Sequence, residues 1–299
     1  MTEGLQDYSE DEKMAAITAQ MVKELRERTS LGMMDCKKAL VESDGDMDLA
    51  IDNLRKSSGM KAAKKAGRIA SDGVIGMKVS EDGTGAVMVE VNCETDFAAR
   101  DENFLEFATT VTDQVFDSKE TDVAKLLASG LEVTRVNLVQ KIGENCSIRR
   151  VDAFEGVIGS YMHTNGKIGV LVSLEGGDRD LGRDIAMHIA ATNPTVVSPD
   201  DVPADTLAKE REIYTAQAQE SGKPPEIIDK MIDGRIKKYL AEISLTEQPF
   251  VKDDDGKIKI GALLKKEGAK VIRFSRFEVG EGIEKEVEDF AAEVSAQLS

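Results

Sequence analysis

The chain has 299 residues, 32% charged and 41% hydrophobic, with a net charge of −17. This is a soluble globular profile with room for two or three packed units, and its acidity argues against a chain whose main task is to wrap nucleic acid, so no direct nucleic-acid partner is expected. No apolar run approaches the roughly 20 residues of a membrane span, and three cysteines, Cys36, Cys93 and Cys146, far apart in sequence, read as reduced thiols of a cytoplasmic protein.

Residues 1–13 are acidic and polar, without the basic start and apolar middle of a signal peptide, and read as a short disordered tail. Residues 14–57 read as three short helices. Val22 and Leu25 face inward on the first, Cys36, Ala39 and Leu40 on the second, and Met47, Ala50, Ile51 and Leu54 on the third. Thr29-Ser30-Leu31-Gly32 and Ser43-Asp44-Gly45-Asp46 supply the turns. Adjacent Met33 and Met34 cannot both face one core; either one reaches the surface as an adaptable contact or the two form a loosely buried pair. Residues 58–71, with Lys61, Lys64, Lys65, Gly67 and Arg68, read as a solvated basic linker with some helical character.

An internal repeat follows. Gly73-Val74-Ile75-Gly76 recurs as Gly156-Val157-Ile158-Gly159, and Val87 and Val89 recur as Val170 and Val172, all offset by 83 positions. Each copy predicts a strand, a hairpin loop, an apolar strand, a polar turn and a helix. Two halves are implied, each an antiparallel sheet with helices on one face.

The copies differ at the strand-to-helix turn. The first has Glu94-Thr95-Asp96-Phe97, ahead of a helix whose apolar face carries Phe104, Ala108, Val111 and Val115; the second has Gly176-Gly177-Asp178-Arg179. Glu94, Thr95 and Asp96 suit a cap or turn. A large aromatic beside them either tucks under the loop or projects toward a partner. Only one copy has it, and the sequence leaves both readings standing.

Residues 121–127 and 131–142 predict two helices and 147–154 a strand. After a Pro-containing linker, an antiparallel helical hairpin is predicted. Leu207, Arg211, Tyr214 and Ala218 form one stripe, and Ile228, Ile232, Ile236, Tyr239 and Ile243 the other. Residues 258–279 return strand material to the second half, and residues 283–298 close the chain as a helix. His188 lies on an apolar helix face and reads as a core histidine, while His163, in a hairpin beside Tyr161 and Met162, reads as exposed. Two histidines and scattered cysteines offer no metal cluster. No cofactor is expected. No nucleophile elbow or dinucleotide fingerprint is present. A protein-binding module therefore ranks above an enzyme.

Several motifs carry a specific resemblance: Lys23-Glu24-Leu25-Arg26-Glu27-Arg28-Thr29, Gly32-Met33-Met34-Asp35-Cys36-Lys37-Lys38-Ala39-Leu40, Glu90-Val91-Asn92-Cys93-Glu94-Thr95-Asp96-Phe97, Lys141-Ile142-Gly143-Glu144-Asn145, Ile148-Arg149-Arg150 and Arg276-Phe277-Glu278-Val279-Gly280-Glu281-Gly282. Together they resemble the elongation factor Ts family, the guanine-nucleotide exchange factors of the GTPase elongation factor Tu. The resemblance implies an α+β chain with a ubiquitin-associated-like module at 14–57. It implies a core with its first half at 72–151 and its second at 152–198 and 245–280, a hairpin at 199–244 that serves dimer contacts, and a C-terminal helix at 281–299 that touches the partner. It implies no covalent chemistry. Thr95, Asp96, Phe97 and Ala98 would dislocate Mg²⁺ from the partner's nucleotide site, Asp96 and Phe97 intruding between its helices, and Arg26, Met33, Met34 and His163 would bind the partner. Ala98 stands where the family often has Val, and Thr164-Asn165-Gly166-Lys167 departs from the common loop.

Overall fold

Three helices open the chain: α1 (Ala19–Thr29), α2 (Met33–Glu42) and α3 (Met47–Lys65). Gly45, at φ 85°, closes the second turn, and the Asp46 carboxylate caps α3 by accepting the Leu49 N–H at 2.9 Å. Val22, Leu25, Leu31, Cys36, Ala39, Leu40, Ala50 and Leu54 form the module's core, as their spacing predicts. The computed structural model describes residues 17–29, 31–219 and 224–284. The predicted tail, the tip of the helical hairpin and residues 285–299 of the predicted C-terminal helix lie outside these.

Residues 58–65 correct the first part of the linker expectation, while residues 66–71 form neither helix nor strand. The helix α3 continues to Lys65, and Ser58 and Ala62 are buried, Ala62 within the core of the following domain. Only two small residues four apart face inward, so the Lys-rich sequence shows no apolar stripe although the helix packs. The module is therefore joined to the core by one continuous helix.

The core holds two three-stranded antiparallel sheets. The first has β1 (Asp72–Val79), β2 (Gly85–Cys93) and β3 (Ser147–Glu155) in that order; the second has β4 (Val157–Met162), β5 (Ile168–Glu175) and β6 (Lys270–Glu278). Alternation along β2 sends Val87, Val89, Val91 and Cys93 toward the helices α4 (Glu102–Ser118), α5 (Val123–Leu126) and α6 (Glu132–Ile142). Ala86 and Met88 face the other way and meet Ile75, Phe154, Ile158, Leu171 and Phe277, an apolar layer between the two sheets. On the far side, α7 (Arg179–Thr192) covers β4 and β5 through Ile185, Ala186 and Ile189. The repeated Gly has a packing reason: a Cβ on Gly76 would lie 2.0 Å from Thr112 Oγ1 of α4, and one on Gly159 would lie 2.2 Å from the Gly182 backbone of α7. Each half thus seats its helix directly on its edge strand.

The helical hairpin, α8 (Ala204–Gln219) and α9 (Pro225–Ile243), is an insertion whose ends meet: the Thr195 N–H donates to Ile243 O at 2.9 Å, and the Leu245 N–H to Val196 O at 3.0 Å. Ala218, Ile232 and Ile236 are buried between its helices, on the two predicted stripes, while Ile213 and Ile227 stay exposed. The short helix α10 (Ile260–Lys266) then leads into β6.

His188 is fully buried on α7, as its position on the apolar face predicts. Its Nε2 lies 3.0 Å from Gln248 Oε1, and its Nδ1 accepts the Val251 N–H at 3.3 Å. Nδ1 as acceptor and Nε2 as donor fix a neutral ring. Burial lowers its pKa, and the bond to Gln248 offsets this in part. A depressed histidine resists the proton that the unfolded chain takes up below about pH 6.5, so stability is full above that pH and falls as the pH drops toward the folded value. His188→Leu should be less stable at neutral pH and should flatten that slope; denaturant melts at pH 7, 6.5 and 5.5 check both.

Candidate functional site

The ladder of β2 ends at Cys93, and the chain turns through Glu94–Phe97 into a short 3₁₀ turn, Ala98–Arg100. Ala98 and Ala99 are buried and join the core beside Phe104 and Phe107. Asp101 then caps α4, accepting the Asn103 N–H at 2.8 Å. With two alanines holding the turn down, Phe97 points away: it is 80% exposed, more than any other large apolar residue among those described. The ring is not tucked under the loop but stands out from the surface. Ala98 faces inward and supports the turn from behind, and Asp96 lies at the surface, paired with Arg100 at 2.8 Å.

The turn is gripped from a distant segment that the sequence did not assign. The Glu144 carboxylate accepts the Glu94 and Thr95 N–H groups at 3.1 and 3.0 Å and the Thr95 hydroxyl at 2.7 Å. In return, Glu94 Oε1 accepts the Asn145 N–H at 2.6 Å. Glu144 belongs to the Lys141-Ile142-Gly143-Glu144-Asn145 motif, so its position carried a signal but its role did not. Beneath the turn, Cys93 and Cys146 are buried free thiols. Burial, reinforced by Glu144, pushes the Cys146 thiol up to about 12, and burial together with Cys146 raises Cys93 as well. Such thiols are inert structural groups.

The other predicted residues fall into two further places. Met33 and Met34 are both exposed, at 59% and 75%, which corrects the expectation that at least one would pack. With Arg26, Val22, Lys23 and Lys37 they line a cleft of about 440 Å³ on the N-terminal module. A flexible apolar pair rimmed by cations suits an adaptable protein contact. His163 is half-buried rather than exposed, stacked edge-on against Tyr161 with ring centroids 6.4 Å apart. Its hairpin tip docks on β1, where Gly166 O accepts the Ile75 N–H at 3.1 Å and Lys167 pairs with Asp72 at 2.7 Å. Asp72 lies opposite Cys93, so the His163 and Phe97 turns share one end of the first sheet.

A sequence profile described as elongation factor Ts matches residues 94–281. Over 286 residues the chain is 64% identical to an elongation factor Ts of Hahella chejuensis, covering 95% of this chain and 99% of that protein. It is 59% identical to that of Saccharophagus degradans and 60% identical to that of Marinobacter nauticus, each over 95% of this chain and 98% of the relative. The chain belongs to the elongation factor Ts family. Its place among translation elongation factors fits a surface built for protein contact. Among the described residues no group of His, Cys, Asp or Glu is arranged to hold a metal, and no helix is long and apolar enough to cross a membrane.

Proposed function

We propose that the chain binds elongation factor Tu in its GDP form and speeds GDP release by opening the nucleotide site, so that GTP can follow. The observation that carries this reading is Phe97, an apolar ring 80% exposed on a turn whose backbone is fixed by Glu144 and by buried Ala98 and Ala99. A rigidly presented ring exposed to water has its apolar area to gain when a partner encloses it. Inserted between helices of the partner, Phe97 stabilises the open state because only that state accommodates it. Asp96, beside it, acts on the partner's Mg²⁺. That ion bridges phosphate oxygens and offsets their charge, so shifting its ligands lowers nucleotide affinity. Coupling is reciprocal: nucleotide weakens the factor's binding by the factor with which the factor weakens the nucleotide's.

The remaining surfaces take supporting roles in this reading. The module at 14–57, through Arg26, Met33 and Met34, grips the partner's nucleotide domain, and His163 adds a contact from the sheet end it shares with Phe97. The hairpin at 199–244, with Ile213 and Ile227 exposed, serves contact between two copies of the chain, and the segment 281–299 touches the partner. The factor works in the cytoplasm and breaks no covalent bond.

The test is GDP release from purified elongation factor Tu over a series of Mg²⁺ concentrations. Asp96→Ala should slow release, with a defect that widens as Mg²⁺ rises. A defect that stays constant across the series would count against a role for Asp96 at the metal.

A further inference from the structure

Resting on the exchange reading above, we propose that Glu144 is a positioning residue for the Phe97 wedge. Backbone pairing between β2 and β3 stops at Asn92 and Ser147. Beyond that point two carboxylates take over the pairing. Glu144 receives three donors from the turn, and Glu94 returns one bond to the Asn145 N–H. The Thr95 hydroxyl donates to Glu144 Oε1 and also accepts the Ala98 N–H at 3.2 Å. This relay carries the grip across Phe97, from the residue two before it to the residue after it.

Glu144 is itself held in a framework. The Asn145 side chain donates to Arg68 O at 2.9 Å, Arg68 pairs with Glu94 at 3.5 Å, and the Lys65 ammonium hydrogen-bonds to Gly143 O. The turn is thus anchored to α6, to the end of α3 and to the core, and no bond in the set touches the Phe97 ring. Hydrogen bonds to a charged acceptor are about twice as strong as neutral ones, and a carboxylate is the side chain that accepts three donors with no donor of its own. Gln at this position could keep its amide oxygen on the two backbone N–H groups. Its Nε2–H₂ would then face the Thr95 hydroxyl, which loses its acceptor, and the remaining bonds would lose the charge that strengthens them. The turn would stay on the core through Ala98 and Ala99 but lose its fixed direction. Glu144 acts through Phe97 and need not touch the partner.

Two measurements test this. The chain contains no tryptophan and four tyrosines, so Phe97→Trp places a single tryptophan at the wedge, which can be excited apart from the tyrosines. Adding Glu144→Gln should lower its anisotropy in the free protein, without any partner present. Unchanged anisotropy overturns the proposal and leaves the exchange reading intact. The second measurement is GDP release from elongation factor Tu at saturating factor. Glu144→Gln should lower the maximal rate about tenfold, the scale of one lost charge-assisted hydrogen bond, and should have no further effect in a Phe97→Ala background. An equal loss in both backgrounds overturns the proposal, since Glu144 would then act by another route. If Phe97→Ala alone matches the unmodified chain while that chain still speeds release, the exchange reading stands, and the wedge role of Phe97 falls together with this proposal. Should Glu144→Gln melt early, Thr95→Val removes one arm of the grip without stranding a charge. It should lower anisotropy and rate in the same direction, and Thr95→Ser should restore both. No change with Thr95→Val overturns the proposal.

Discussion

Phe97→Ala should lower the maximal rate of GDP release from elongation factor Tu by at least about thirtyfold, the scale of losing a central aromatic hot spot worth about 2 kcal/mol. The same substitution should leave the melting curve almost unmoved. A buried Phe→Ala change costs about 3–5 kcal/mol, but surface changes away from special features stay within about 0.5 kcal/mol, and Phe97 is 80% exposed and absent from every core cluster described. In the proposed mechanism the ring's apolar area is buried only once the partner opens around it, so the loss should fall on the open state and therefore on the rate. Single-turnover release at saturating factor, paired with a denaturant melt of the same variant, separates the two effects. An early-melting variant whose folded fraction exchanges normally would return Phe97 to the core.

Glu90→Ala should be strongly destabilising, at about 3 kcal/mol, the low end for breaking a buried ion pair. Glu90 lies on β2 with no exposure. It accepts Arg149 at 2.9 Å, Arg150 at 2.6 Å, the Asn92 amide at 3.1 Å and the Gly280 N–H at 2.8 Å. Arg150 also pairs with Glu281 at 3.2 Å. The cluster therefore ties the chain beyond β6 onto the first sheet. Both arginines are about a third exposed and can rehydrate, which places the cost at the low end. The Gly280 N–H and the Asn92 amide would each lose a buried acceptor. Burial alone would raise the Glu90 pKa, but the Gly280 N–H, Arg149, Asn92 and Arg150 outweigh it and hold the carboxyl below the ordinary range. A depressed carboxyl contributes stability above the unfolded value of about 4.3 and loses it as pH falls through the folded value. The deficit of Glu90→Ala should accordingly be full at pH 7 and shrink in acid. Urea melts at pH 7 and below pH 4 measure this, and a deficit independent of pH would place the cost in packing instead of charge.

Much of this was legible in sequence because it rests on local periodicity. The 83-residue repeat, the alternation on β2 and the stripes of the helical hairpin are each set by a short pattern, and each appears where the pattern puts it. The site was half legible. Its place at a strand-to-helix turn follows from the apolar strand, the polar turn and the helix face beyond. The direction of Phe97 depends on Ala98 and Ala99 taking the inward positions, and on Glu144, about fifty positions away, holding the turn. Neither leaves a periodic trace. Glu90 was hidden for the opposite reason: it lies within an apolar run, and its partners on β3 become visible only once the register pairs Glu90 with Arg150. The end of α3 was misread because its buried face is made of Ser58 and Ala62, which are too small to stand out against the lysines around them.

The most direct measurement of the central claim is the release of labelled GDP from elongation factor Tu in Mg²⁺, followed with and without increasing amounts of this chain. The release rate should climb with factor concentration to a plateau, and excess GDP should take the factor–partner complex apart. A release rate unchanged at every concentration, with the chain folded and bound, would contradict it.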